Sequence, residues 1–101
     1  MQVRLLDLSR NRLESIALLN QWGTVSNLIL SHNQIHAVSP DVFSMLSVSL
    51  KVLDLSGNKL TSLPEALLAK IHYLKSLNLA NNSIAGLPKG LFKDQARVRP
   101  F

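Results

Sequence analysis

Four times along the chain a short run alternates leucine-type side chains with variable ones and then closes on an asparagine. The copies are Leu6-Asp7-Leu8-Ser9-Arg10-Asn11-Arg12-Leu13, Leu28-Ile29-Leu30-Ser31-His32-Asn33-Gln34-Ile35, Leu53-Asp54-Leu55-Ser56-Gly57-Asn58-Lys59-Leu60 and Leu77-Asn78-Leu79-Ala80-Asn81-Asn82-Ser83-Ile84. Each reads apolar, any, Leu, any, any, Asn, any, apolar. A period of two is the signature of a strand with one buried face, so each copy predicts a short strand with its leucine pair turned inward and the intervening residues turned out. The asparagines follow one another at steps of 22, 25 and 24 residues. One strand per step, always after a return of similar length, predicts a parallel ladder in which each unit buries its leucines only against its neighbours. A single unit would not fold alone.

Asn11, Asn33, Asn58 and Asn82 stand where the inward pattern leaves the strand and the backbone turns. A buried amide is costly unless bonded, and its carbonyl and NH2 together serve backbone groups that a turn sets free. The four side chains are therefore expected to be inside, bonded to the main chain. Phe43, Leu68 and Phe92 each fall ten residues after the Asn of their own copy and predict an apolar spine behind the sheet. Ser39-Pro40-Asp41, Pro64-Glu65 and Pro88-Lys89 read as openings of short helical turns on that far side. The first return is the shortest, has no Pro, and carries Trp22, which is expected to pack between units.

The pattern resembles the leucine-rich repeat family, whose L-x-x-L-x-L-x-x-N-x-L consensus falls on Val3 to Leu13, Val25 to Ile35, Leu50 to Leu60 and Leu74 to Ile84. The resemblance implies an α/β right-handed solenoid with short parallel strands on the concave face and short helical or 3-10 turns on the convex face. It also implies an Asn ladder between adjacent repeats. The whole chain, residues 1–101, reads as one array with repeats near 3–24, 25–49, 50–73 and 74–97. Val3 already fills the first consensus position, and Val98 sits where a fifth strand would begin. Both ends are thus expected to be uncapped, belonging to a longer solenoid or covered by self-association.

Outward strand positions fall into four rows: Leu5, Asn27, Val52, Ser76; Asp7, Ile29, Asp54, Asn78; Ser9, Ser31, Ser56, Ala80; and Arg10, His32, Gly57, Asn81. Strands about 4.8 Å apart and about 17 Å long give a face of a few hundred Å², against about 800 Å² per partner in an ordinary interface. Leu5, Ile29 and Val52 offer an apolar anchor flanked by Asp7 and Asp54. The expected partner-contacting residues are Leu5, Asp7, Arg10, Asn27, Ile29, His32, Val52, Asp54, Ser76, Asn78 and Asn81.

Net charge is +5, with 11 Lys+Arg against 6 Asp+Glu. Attraction to polyanions is therefore permitted. The basic residues scatter, however, apart from a mild concentration at Lys89, Lys93, Arg97 and Arg99, and no aromatic row interleaves them. Specific nucleic-acid binding is not expected. The chain has no Cys, which removes disulfides and thiolate chemistry and agrees with a reducing compartment; with no secretory leader in Met1 to Leu8, the cytoplasm is the expected location. No run of about 20 apolar residues predicts a membrane span.

Enzymatic readings fail for want of parts. His32 and His36 straddle a strand-to-turn junction and do not share a helical face for a metal. No G-x-S-x-G elbow surrounds a serine, and the glycines form no phosphate-cradling loop. Asn81-Asn82-Ser83 fits a glycosylation acceptor, a short pattern that also arises by chance. Neither catalytic residues nor a cofactor are expected. Resemblance implies a noncatalytic module for protein–protein interaction. The alternative is a segment of a larger signalling or regulatory enzyme, associated with a kinase, phosphatase or ubiquitin ligase, whose catalytic part lies outside these residues.

Overall fold

A computed structural model of the chain describes residues 2–16, 24–38, 49–63, 73–84 and 99–100. Five strands run through them: β1 Gln2–Asp7, β2 Thr24–Ile29, β3 Val52–Asp54, β4 Ser76–Asn78 and β5 Arg99–Pro100. They form one sheet in the order β1-β2-β3-β4-β5, and every neighbouring pair is parallel. Sequence order equals spatial order, so each return segment carries the chain back to start the next strand beside the last. That is a parallel-strand solenoid, the architecture that the resemblance implies. β5 pairs with β4 through Ser76 opposite Arg99 and Leu77 opposite Pro100, one residue beyond the expected start at Val98.

Register follows the leucines. Leu6 stands opposite Leu28, Leu28 opposite Leu53 and Leu53 opposite Leu77, so the inward residues stack from strand to strand. Leu28, Leu30, Leu53, Leu55 and Leu77 are fully buried, together with Ile35, Leu50 and Leu60 from the segments flanking the strands. Leu6, Leu8 and Leu13 on the β1 side are only partly buried, as is Ile84, though all four pack against this core. Burial therefore deepens from β1 to the middle of the ladder, because a central leucine has a leucine layer on both sides.

Backbone bonding continues past the assigned strands. Leu8 N–H donates to Ile29 O and Arg10 N–H to Ser31 O; Leu30 and His32 donate to Asp54 O and Ser56 O; Leu55 and Gly57 donate to Asn78 O and Ala80 O. After each asparagine the direction reverses, with Gln34, Lys59 and Ser83 donating to Leu13 O, Ile35 O and Leu60 O of the preceding repeat. Ser49 adds a side-chain clasp: its hydroxyl accepts from Val25 N–H (3.2 Å) and donates to Val25 O (3.1 Å), tying the entry of the third repeat to β2.

The asparagine ladder is present at three of its four positions. Asn58 Oδ1 accepts from Ile35 N–H at 3.1 Å, while its NH2 donates to Leu30 O, Leu55 O and Ser56 O at 3.0, 2.9 and 3.2 Å. Asn33 repeats this set toward Leu13, Leu8, Leu30 and Ser31, and Asn82 toward Leu60, Leu55, Leu79 and Ala80. Each amide thus holds its own turn and the strand exit of the repeat before it. Asn11 differs from the expectation of an inside position. It is exposed and donates only within its own turn, to Leu8 O and Ser9 O, since among the described residues no turn of another repeat lies on its outer side.

No helix occurs among the described residues. The convex-side expectations, namely the Pro-initiated turns, the spine of Phe43, Leu68 and Phe92, and the packing of Trp22, lie outside the described residues, as do Lys89, Lys93 and Arg97.

Candidate functional site

Strand pairing lines up two of the outward rows. Leu5, Asn27, Val52 and Ser76 are successive cross-strand partners, and so are Asp7, Ile29, Asp54 and Asn78. Leu5 is 56% exposed, making it one of two large apolar side chains in the open among the described residues; the other is Tyr73, just before β4. Asp7 is also exposed, and the remaining six members of the two rows are partly buried. The face is a shallow, continuous strip in which neighbours at about 4.8 Å spacing support one another.

The acidic row has a structural task as well as an exposed one. Asp7 Oδ1 accepts Ser9 N–H at 2.9 Å, Asp54 Oδ1 accepts Ser56 N–H at 2.9 Å and the Ser56 hydroxyl at 2.6 Å, and Asn78 Oδ1 accepts Ala80 N–H at 3.0 Å. These are Asx turns, in which a short side chain satisfies a backbone donor two residues on. Ile29 occupies the same row without an oxygen to contribute. The Asp7 carboxyl titrates below its ordinary value, first because the Ser9 side chain bonds the charged form and second because the Ser9 backbone does.

The third row differs from its expected place on the open face. Ser31 is buried, and Ser9, Ser56 and Ala80 are partly buried. At this point the chain has begun to bend toward the asparagine: Ser31 O accepts both Arg10 N–H and the Asn33 amide, which draws the residue into the turn.

The fourth row returns to solvent by an unusual backbone. Arg10, His32, Gly57 and Asn81 have φ of 60°, 57°, 68° and 58°, all in the left-handed region. Arg10, His32 and Asn81 are exposed, and the His32 ring lies across Gly57. The pattern assigns these residues to outward positions of the strands, whereas the strands end at Asp7, Ile29, Asp54 and Asn78 and the row lies three residues beyond, on a rim with left-handed backbone. Gly57 and Asn81, the two residue types that enter this region most readily, were the available signal.

All eleven residues expected to contact a partner therefore lie on the strands' outward positions or on this rim. Among the described residues no group of His, Asp and Glu is arranged to hold a metal ion, and no helix is long and apolar enough to cross a membrane.

The family model described as Leucine rich repeat matches residues 23–84. Similar curated proteins include Toll-like receptor 6 of Bos taurus, 35% identical over 83 residues that make up 82% of this chain and 10% of the receptor. Tsukushi of Gallus gallus is 36% identical over 100 residues, 95% of this chain and 27% of that protein. Leucine-rich repeat-containing G-protein coupled receptor 5 of Rattus norvegicus is 45% identical over 49 residues, 48% of this chain and 5% of the receptor. The chain spans about a tenth of the length of the Toll-like receptor it matches.

Proposed function

From the premise that this chain belongs to the leucine-rich repeat family, we propose that it is a noncatalytic recognition module whose concave strand residues contact a protein partner. The observation that carries the reading is the in-line pair of rows: Leu5, Asn27, Val52 and Ser76 beside Asp7, Ile29, Asp54 and Asn78. The inward residues between them are locked in the core, so a change on the outward rows alters what the surface offers without altering the scaffold. Leu5, Ile29 and Val52 supply apolar contact, and Asp7 and Asp54 flank them with charge that favours a partner segment combining apolar and basic residues. Arg10, His32 and Asn81 form the rim of the same site.

The strip itself is smaller than an ordinary interface, and the chain spans only a small part of the relatives it matches. The module accordingly acts as part of a larger recognition surface. Two of the three relatives are named as receptors, which favours a receptor-like host protein over an enzyme-associated one.

The test is partner recovery with the triple variant Asp7→Asn, Ile29→Asn, Asp54→Asn. Asn78 already performs the Asx-turn role in this row, so the turns survive while both charges and the central side chain of the apolar anchor, Ile29, are lost. Recovery should drop at least tenfold with unfolding unchanged. Undiminished recovery would move the contact off the concave face.

A further inference from the structure

The chain contains one sequence of the form Asn-x-Ser/Thr with x other than Pro, Asn81-Asn82-Ser83, and the structure divides its two asparagines sharply. Asn82 is committed: its Oδ1 accepts Leu60 N–H at 3.0 Å, and its NH2 donates to Leu55 O, Leu79 O and Ala80 O. A glycan there would break the ladder between the third and fourth repeats. The acceptor position of the motif, however, is Asn81, and Asn81 is exposed on the rim with its amide bonded to nothing among the described residues. Its backbone has the left-handed φ of 58° shared by the rim, and it is exposed where Asn82 is partly buried. Ser83, whose hydroxyl the acceptor motif requires, is likewise exposed, and only its backbone N–H is used, donating to Leu60 O. The neighbouring rim position is Gly57, which has no side chain of its own and carries the His32 ring over it from the far side of the row.

We propose that Asn81 is an N-glycosylation site, carrying its glycan outward from the rim at the C-terminal end of the concave face. This rests on the reading of that face as the recognition surface and refines it: a glycan on Asn81 withdraws this residue from direct partner contact. Recognition then concentrates on Leu5, Ile29, Val52 and Asp54, away from the shielded corner. Glycan transfer takes place in the secretory pathway, so the same modification sets aside the cytoplasmic location expected from the cysteine-free composition.

The experiment uses the protein recovered from the cells that make it. Trypsin cleavage after Lys75 and Lys89 releases residues 76–89, with the whole motif in one peptide. Amide-linked glycan release in water carrying a heavy oxygen isotope converts a glycosylated Asn81 into a labelled aspartate, which ordinary deamidation before treatment does not produce. The expected result is label at position 81 and not at 82, lost in both Asn81→Gln and Ser83→Ala and retained in Ser83→Thr. Unlabelled peptide as the sole form overturns the proposal. The readout is the mass of a peptide, independent of partner recovery, so a failure here and a failure of the concave-face reading are told apart.

Discussion

The imidazole of His32 lies over Gly57 on the adjacent repeat, with Nδ1 2.6 Å from where a β-carbon on Gly57 would stand. Gly57 also has φ of 68°, a conformation that an L side chain resists. Two demands meet at one residue, and they are separable. Gly57→Ala is expected to destabilise the array by about 1–2 kcal/mol, most of it from the left-handed backbone. Because the exposed His32 ring is free to swing aside, the double variant with His32→Ala should recover only a minor share. Chemical denaturation of the two single variants and the double variant measures both parts; full recovery in the double variant would show that the ring contact, not the backbone, dominates.

Asn58 and Asn11 occupy equivalent sequence positions with unequal duties. Asn58 is 7% exposed and serves four backbone groups, whereas Asn11 is in solvent and serves two within its own turn. Asn58→Ala strands buried donors and acceptors and should cost about 3 kcal/mol or more, while Asn11→Ala should cost under about 1 kcal/mol. Urea midpoints for the two variants provide the comparison, and equal shifts would contradict the ladder's unequal bonding.

The leucine layers grade in the same way. Leu53 is fully buried between the layers of β2 and β4, and Leu6 is partly buried on β1. Leu53→Ala should therefore lose about 3–5 kcal/mol, and Leu6→Ala distinctly less, since its site already opens to water and leaves less of a cavity. Thermal unfolding of each would reveal the gradient.

Asp7 provides a pH signature. Its carboxyl is held below the ordinary value of 3.8 by the Ser9 hydroxyl and backbone N–H, so the folded state favours the charged form. Its contribution to stability is complete above 3.8 and fades as pH falls through the lower folded-state value. A carboxyl-carbon NMR titration should give a midpoint below 3.8 in the native protein, moving upward in Ser9→Ala. A native midpoint at or above 3.8 would mean that the turn does not select the ionised form.

The order, direction and register of the strands were legible along the chain, because a leucine pair and an asparagine repeated at 22 to 25 residue steps leave one way for every copy to bury its apolar side. The rows of Leu5 and Asp7 followed from the same period of two. What the tertiary structure alone decided lies where a residue's neighbour in space is a different repeat. Asn11 and Asn58 share a motif, yet only Asn58 has a turn beside it to bond. Ser31 sits at an outward step of the pattern but is drawn in by bonds from Arg10 and Asn33. Arg10 and His32 give no local sign of a left-handed backbone, which accompanies the bend at the strand exit just before the asparagine. Periodicity specifies which side of a strand a residue faces, whereas the bonds that hold a turn depend on which backbone groups the adjoining repeat presents, and those exist only once the repeats have stacked.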